Sequence, residues 1–221
     1  DQTRFSAMGG EKTLMFYPNK KLRVSIDKNQ VLANNVVETT DTGKIVDYID
    51  WNINANVLSK RDLMVIDLIA HNDWSRPIYF SVTVGNSSKS YFWLDDYFQL
   101  EGLAYRFIPV KTPRQKGQTD FGKVAIGPMY ENLMNDFTLE GLDGDVYLDE
   151  TNRRVTFNLR NIYGRLGKAL ADAGRKEDAV KVLDRAMKYM PEEKYAYDYF
   201  VINIVEGYYK AGNTEKAKEI L

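Results

Sequence analysis

The sequence predicts an α/β or α+β module with a small mixed sheet, followed by an all-α pair of helical repeats. Aromatic residues, strand-like runs and five of the six prolines fall in residues 1–150, whereas residues 151–221 show helical periodicity throughout. The charge balance changes at the same place, with 16 Lys and Arg against 21 Asp and Glu before it and 14 against 10 after it. We therefore expect two modules, 1–150 and 151–221, with the second repeat truncated.

The first elements of the 1–150 module follow from local patterns. Lys21–Ile26 favours a short strand, and Asp27 can cap a brief helix that ends near Asn34. Alternation of apolar and polar residues predicts a strand over Lys44–Ile53.

The next segments predict a helix between strands. Lys60–Ala70 has a broad apolar face and predicts a mostly buried helix. The nearly continuous apolar run Pro77–Val84 predicts the strongest strand of the chain, buried on both faces. The order strand, helix, strand over residues 44–84 fits one right-handed βαβ unit. A further strand is expected over 104–110 and a helix over Met129–Phe137.

Residues 151–221 contain an internal repeat that follows a long helix beginning around Asp149 to Asn152. Small, apolar and proline positions occur at relative offsets 0, 3, 4, 7, 16, 20, 23 and 28, which is the spacing of the tetratricopeptide pattern. These positions are Tyr163, Leu166, Gly167, Leu170, Ala179, Leu183, Ala186 and Pro191. Gly174 is expected to end the first helix in a left-handed turn. The segment 211–217 matches 173–179, a period of 38 residues, so we expect an enlarged turn at Pro191–Lys194.

The first helix of each tetratricopeptide-like repeat lines a concave side, which predicts a groove for a peptide. Outward-facing candidates for this groove are Asn161, Lys168, Tyr199, Ile202 and Tyr209. The alternative is a scaffold surface that binds no ligand.

The composition excludes several classes of site. A net charge of −1 argues against a dedicated binder of nucleic acid or of anionic membranes. With no cysteine and one histidine, His71, the chain has no thiolate zinc site, no cysteine nucleophile and no multi-histidine metal site of its own. Nucleotide-binding glycine motifs and metalloprotease motifs are absent from the sequence. We therefore expect no metal and no cofactor.

The densest polar cluster joins the predicted helix to the predicted strongest strand, and it comprises His71, Asn72, Asp73, Trp74 and Arg76. Loops of this kind can build sites, and histidine is the natural acid–base group. The alternative is structural, with His71 and Asn72 capping the helix, Arg76 pairing with an acid and Trp74 covering the core.

Other acidic groups favour structural roles. The neighbouring carboxylates Asp95 and Asp96 are typical of a turn that is solvated or binds a casual cation, and the segment Tyr97–Arg106 is expected to supply core packing and an internal ion pair.

Several of these stretches resemble the region that follows the membrane part of Bacteroidota glycosyltransferase family 117 proteins. The similar stretches are Asp50–Trp51, Asp62–Gly85, Tyr97–Arg106, Ile108–Lys111 and the repeat tail that begins at Val155–Arg160. Members of that family resemble protein O-mannosyltransferases that use a polyprenyl-phosphate-linked sugar. The resemblance implies a parent with a multi-span membrane region, whose loop carries the catalytic acid. No residue of this chain matches that acid, so no catalytic residue is transferred.

The longest strongly apolar stretch, Leu63–Ala70, is interrupted by Asp67, whereas a membrane span needs roughly 20 apolar residues. The chain starts at Asp1 without an initiator Met and stops at Leu221 within a helical pattern, so we expect a piece of a longer protein.

The function predicted from the sequence is a non-catalytic extracytoplasmic module of a membrane protein O-glycosyltransferase-like protein at the periplasmic face of the inner membrane. Its expected partners are the parent's own membrane-spanning region and an acceptor polypeptide, with no nucleic acid. One alternative is a purely structural cap of the membrane part. Another is a stand-alone enzyme that uses the loop His71–Arg76, which requires a concave pocket containing His71 and a nearby carboxylate.

Overall fold

A computed structural model describes residues 2–7, 10–15, 21–53, 60–83, 94–114, 120–145 and 147–221. Strand β1 (Gln2–Ala7) pairs antiparallel with β2 (Gly10–Met15), and β3 (Lys21–Ser25) pairs antiparallel with a later strand, β4 (Tyr48–Asn52). Strands therefore dominate the beginning of the chain.

Two short helical segments connect β3 to β4. Helix α1 (Lys28–Ala33) is capped by Asp27, as predicted. The Asp27 carboxylate accepts hydrogen bonds from the backbone amides of Asn29 and Gln30. A 3₁₀ helix follows at Thr39–Lys44. The strand predicted over Lys44–Ile53 is consequently shorter than expected.

The remaining strands form one four-stranded mixed sheet. After helix α2 (Lys60–Ala70), the chain forms strands β5 (Tyr79–Ser81), β6 (Phe98–Leu100), β7 (Ala104–Phe107) and β8 (Lys123–Val124). Their spatial order is β5-β7-β6-β8, antiparallel except for the parallel pair of β6 and β8. The predicted small mixed sheet is confirmed, with β7 in place of the strand expected over 104–110.

The predicted βαβ unit is wrong. Strand β4 pairs with β3, and β5 belongs to the four-stranded sheet, so the strands before and after α2 lie in different described sheets. The strand predicted over Pro77–Val84 is wrong as well, because only β5 forms there and only the middle one of its three residues is partly buried. Val84 itself lies outside the described residues. A short edge strand paired on one side does not bury both faces, whatever the apolarity of its sequence.

The prediction that α2 is mostly buried is also wrong. Its inward face is spaced at i, i+3, i+4 and i+7 and consists of Asp62, Val65, Ile66 and Ile69. The remaining apolar residues point outward, and Leu63, Met64 and Leu68 are 39%, 66% and 60% exposed.

The chain after β8 is mainly helical. Helix α3 (Ile126–Glu131) continues into a π-helical turn, Asn132–Asp136, as the pattern over Met129–Phe137 predicted. The four helices that follow are α4 (Glu150–Asp172), α5 (Lys176–Tyr189), α6 (Val201–Ala211) and α7 (Thr214–Ile220). No described helix is long and apolar enough to span a bilayer.

The ends of these helices agree with the sequence-based expectations. Asp149 caps α4 by accepting the backbone amide of Asn152. Gly174 adopts φ +80° in the turn after α4, where a side chain would be strained. Helix α5 ends at Tyr189, just before Pro191.

The C-terminal helices pack through glycine. At Gly164 of α4, a Cβ atom would lie 2.7 Å from Cβ of Asn203 and 2.9 Å from its backbone carbonyl carbon, so α4 and α6 touch almost backbone to backbone. At Gly167, a Cβ atom would lie 2.5 Å from a methyl carbon of Leu183 in α5. Gly167 and Ala179, which is fully buried, are therefore packing positions, as predicted.

A single hydrophobic core joins the sheet to the helices. On the sheet side, Tyr105 stacks on Phe98 and on Phe121 with ring centroids 5.5 and 4.7 Å apart. On the helix side, the hydroxyl of Tyr163 donates to the carbonyl of Leu133, 2.8 Å away. Helix α4 is thus packed against both the sheet layer and the helices that follow it.

We expect Gly164→Ala to destabilise the protein by roughly 1–3 kcal/mol, because the added methyl group meets the backbone of α6, which cannot move independently. Within a helix, alanine is ordinarily more stable than glycine by about 1 kcal/mol. A loss of stability in Gly164→Ala would therefore be opposite to the effect expected from helix propensity alone. The control is Gly127→Ala in α3, where nothing lies within 4 Å of the added carbon. Urea unfolding measures both, and a Gly164→Ala protein at least as stable as the wild type would contradict the close approach.

Candidate functional site

An open groove lies between α4, α6 and the segment Asp120–Val124. Its volume is about 450 Å³. Three of the residues predicted for a concave groove line it, namely Lys168, Tyr199 and Ile202. A fourth, Asn161, lines an adjoining cavity of about 260 Å³ that also includes Tyr199.

The fifth predicted groove residue, Tyr209, lies elsewhere. It is 44% exposed on α6 but does not line either cavity, and Glu206 and Lys210 line the groove along that part of the helix. The α6 residues Ile202, Glu206 and Lys210 line the groove at a spacing of four, and Tyr209 lies to one side of that row.

The floor of the groove is a connected polar network. Nζ of Lys168 lies 2.5 Å from a carboxylate oxygen of Glu206 and donates to the side-chain oxygen of Asn203, 3.0 Å away. The Asn203 amide in turn donates to Asn161 at 2.7 Å and to Asp120 at 3.4 Å. These side chains are held in place before any ligand arrives.

The rim differs from the floor in being apolar and open. Tyr199 is 63% exposed and Ile202 is 44% exposed. Exposed aromatic and aliphatic side chains beside a groove offer contact area to a ligand at little cost in polar desolvation.

The charges of the groove balance. The lining contains the acids Asp120, Asp172 and Glu206 and the bases Arg165, Lys168 and Lys210. Two of the bases are paired with carboxylates, since Lys168 contacts Glu206 and Lys210 lies 2.7 Å from Asp172. The groove therefore has no net charge with which to attract an ion.

Arg165 fixes the wall of the groove, and sequence analysis missed it. Its guanidinium donates to the hydroxyl of Tyr105 at 2.8 Å, to the carbonyl of Phe121 at 2.7 Å and to that of Gly122 at 3.2 Å. It is buried and joins α4 to the sheet. The available signal was an arginine between the apolar repeat positions 163 and 166, where a helix facing a core rarely carries a charge.

The same wall is held from its other side. Lys123 of β8 forms an ion pair with Glu38 at 3.1 Å and a closer one with Asp41 of the 3₁₀ helix. Burial alone would raise the pKa of Asp41, but hydrogen bonds from Lys123 and Lys44 outweigh burial and hold this pKa below its ordinary value. The segment Asp120–Val124 is thereby pinned to the sheet layer.

The polar cluster His71, Asn72, Asp73, Trp74 and Arg76 forms the turn after α2. The imidazole Nδ1 of His71 lies 3.0 Å from the carbonyl oxygen of Asp67 and 3.2 Å from its carboxylate. Both side chains are about three-quarters exposed, at 78% and 74%. His71 lies in neither cavity described above, and its position is that of a residue at a helix C-terminus.

The rest of this turn serves to place Trp74. The Asn72 side chain accepts the backbone amide of Trp74 at 3.0 Å, and Asp73 accepts from Ser75. Trp74 has φ +66°, is buried, and stacks on Phe107 with centroids 5.8 Å apart. The predicted covering of the core by Trp74 is confirmed. Arg76 is exposed, and its charge helps to lower the pKa of Asp73 after the larger effect of the Ser75 hydrogen bonds.

The two acidic segments differ from each other. Glu101 and Arg106 lie 3.7 Å apart, which confirms an internal ion pair within Tyr97–Arg106. Asp95 is buried rather than solvated, contrary to the expectation for Asp95 and Asp96, and lies 2.8 Å from Arg114. Among the described residues, no group of three or more His, Asp and Glu side chains is arranged to hold a metal ion.

The part of the chain that forms the strands is similar to a known family. The family described as TMEM260-associated domain 2 matches residues 1–126, more than half of the chain. The chain belongs to this family. The family relates the chain to TMEM260. TMEM260 is a membrane protein that is similar to glycosyltransferases of the protein O-mannosyltransferase type.

The matched residues include the turn at His71–Arg76 and the groove wall at Asp120–Val124, and they end at the start of α3. No curated protein and no solved structure matches the chain.

The pH dependence of stability is expected to contain a component from Asp95. Burial raises the pKa of this carboxyl to about 6, against the opposing effect of Arg114. The unfolded chain releases the same proton near pH 4. The folded state thus holds the proton more tightly, so the stability that Asp95 contributes is complete below about pH 4 and is lost as the pH rises through about 6.

Urea unfolding of wild type and Asp95→Asn at pH 4 and pH 7 measures this component. The wild type should lose stability relative to the variant on the order of 1–3 kcal/mol between the two pH values. Asp143→Asn, which removes an exposed carboxyl, is the control. A wild-type profile parallel to that of Asp95→Asn would rule out the buried carboxyl as the source.

Proposed function

We propose that the chain is a non-catalytic extracytoplasmic module of a membrane protein O-glycosyltransferase-like protein, and that its groove positions an acceptor or partner polypeptide. The observation that carries the proposal is the groove itself, with exposed Tyr199 and Ile202 above an internally satisfied polar floor. Membership in the TMEM260-associated family supports the kind of parent.

The chemistry of the groove suits an extended peptide. A peptide backbone offers neutral donors and acceptors, and the side-chain NH2 group of Asn161, which donates no hydrogen bond within the described residues, can bind a peptide carbonyl without a net charge. Side chains of the peptide can pack on Tyr199 and Ile202, which supply area at low conformational cost. A strongly charged ligand gains nothing from a lining whose charges balance.

The helical framework of this proposal is a tetratricopeptide-like pair formed by α4 to α7, with a module boundary near residue 150. The contact of Gly167 with Leu183, the left-handed turn at Gly174 and the end of α5 before Pro191 support the pair. Two repeats are fewer than such arrays need to bury their faces, so the sheet layer caps the stack.

The proposed location is the periplasmic face of the inner membrane, as part of a parent similar to the Bacteroidota glycosyltransferase family 117. In this proposal the parent's membrane region uses the polyprenyl-phosphate-linked sugar, and the present chain performs no chemistry. His71 lies exposed beside Asp67. This position supports a non-catalytic role for the chain over an enzyme built on the His71–Arg76 loop.

A second candidate is a purely structural cap of the parent's membrane-spanning region. The exposed apolar side chains of α2, Leu63, Met64 and Leu68, favour it. They lie on the face of α2 that is turned away from the core and would be covered by an apolar surface of the parent.

Calorimetric titration of the purified chain with Ser- and Thr-rich acceptor peptides tests the proposal. Tyr199→Ala should weaken binding roughly tenfold, because the exposed ring is the largest contact at the rim. Tyr147→Ala removes a ring that is 87% exposed and lines neither cavity, and should leave binding unchanged.

The outcomes separate the candidates. Failure of every peptide to bind the wild type would favour the structural cap. Incubation with polyprenyl-phosphate sugar donors and the same peptides forms the second arm, and turnover that disappears in His71→Ala would overturn the non-catalytic assignment.

A further inference from the structure

A third cavity, at the beginning of α4, differs from the groove in its charge. Its volume is about 440 Å³. The residues that matter in its lining are Glu150, Arg153, Arg154, Phe157, Lys194 and Tyr195. The cavity thus lies between the first turns of α4 and the segment that connects α5 to α6, and it shares none of these residues with the groove.

Two positive charges of this lining form no ion pair with a carboxylate of the described residues. Arg154 lies 2.6 Å from Glu150, so that pair is neutral. Arg153 forms no ion pair with any residue in the described part of the chain. Nζ of Lys194 donates to the carbonyls of Leu142 and Gly144, which hold the ammonium group in place without neutralising it.

The position of Arg153 is electrostatically unfavourable for the helix. Helix α4 is 23 residues long and Arg153 is its fourth residue, close to the positive end of the helix dipole. Asp149 at the cap is engaged with the amide of Asn152. An uncompensated cation here destabilises the free helix and becomes favourable when an anion sits beside it.

The cavity also has an apolar side. Phe157 follows Arg153 by one helical turn and therefore lies on the same face of α4. Tyr195 is buried, its hydroxyl donates to the carbonyl of Leu142 at 2.8 Å, and Nζ of Lys194 lies 5.5 Å from its ring centroid. The lining therefore offers a ligand both cations and aromatic rings.

We propose that this cavity binds an organic phosphate, a dianionic head attached to an apolar or planar body. Two unneutralised cations match the charge of a phosphomonoester, and the planar guanidinium of Arg153 can bind two of its oxygens at once. The volume is that of a site for a small organic molecule. The same chemistry is offered by a soluble phosphomonoester and by the headgroup of an anionic lipid.

The probe is phenyl phosphate, titrated into the full chain by calorimetry. Inorganic phosphate, which has the phosphate group alone, and benzyl alcohol, which has an aromatic ring without a phosphate, are titrated separately as controls. Phenyl phosphate should bind at least tenfold more tightly than inorganic phosphate, and benzyl alcohol should not bind measurably. Arg153→Gln should weaken phenyl phosphate at least tenfold and raise the melting temperature of the free protein. Arg61→Gln is the matched control, since Arg61 is an exposed arginine in the first turn of α2.

A second set of arms distinguishes the sources of the phosphate. If the wild type co-sediments with vesicles that contain phosphatidic acid and Arg153→Gln does not, the ligand is a lipid headgroup. If only soluble phosphomonoesters bind, the ligand is a small molecule. Equal affinity of wild type and Arg153→Gln for phenyl phosphate, or no binding by the wild type at millimolar concentration, would overturn the site. Peptide binding in the groove should be unaffected by Arg153→Gln, so the two proposals can fail independently.

Discussion

The approach of α4 to its neighbours is the constraint on which the rest of the structure depends. At Gly164 the helix lies against the backbone of α6, and at Gly167 it receives the Leu183 side chain of α5. Because glycine contributes no side chain at these contacts, α5 and α6 lie close to one side of α4. The sheet layer packs on α4 as well, through Arg165. The residues between the two glycines, Arg165 and Leu166, are therefore buried.

Two arginines of α4 are buried, Arg160 before these glycines and Arg165 between them, and each organises the wall of one cavity. Arg165 binds the Tyr105 hydroxyl and the backbone at Phe121 and Gly122, which places the wall of the groove. Arg160 is fully buried and donates to the carbonyls of three residues, Met190, Tyr195 and Ala196. Burial lowers the pKa of Arg160, and it has no carboxylate within ion-pair distance among the described residues. Its carbonyl partners flank the segment Pro191–Lys194 on both sides.

Features set by short-range physics were predictable from the sequence. The caps at Asp27 and Asp149, the left-handed turn at Gly174 and the end of α5 before Pro191 depend on a few neighbouring residues each. Of the groove candidates predicted on the concave side of the repeats, Lys168, Tyr199 and Ile202 line the groove, whereas Tyr209 lies outside it.

Features set by distant partners were not predictable. Leu63, Met64 and Leu68 have the apolarity of core residues, and only the position of the rest of the chain decides that another face of α2 is buried. The partners of β4 and β5 depend on which strand lies beside each of them. The bond from Arg165 to Tyr105 joins residues 60 positions apart, which no local pattern encodes.

The bonds from Tyr163 to the π-helical turn and from Arg165 to the sheet layer also bear on the order in which the protein can mature during translation. The acceptors at Leu133, Tyr105 and Phe121 leave the ribosome before α4 does. Until α4 emerges, the aromatic surface around Tyr105 has no cover from that helix and those carbonyls depend on water. The sheet layer is therefore made first but remains incomplete until α4 has emerged, and the nascent chain exposes apolar surface to chaperones for as long as the synthesis of α3 and α4 takes.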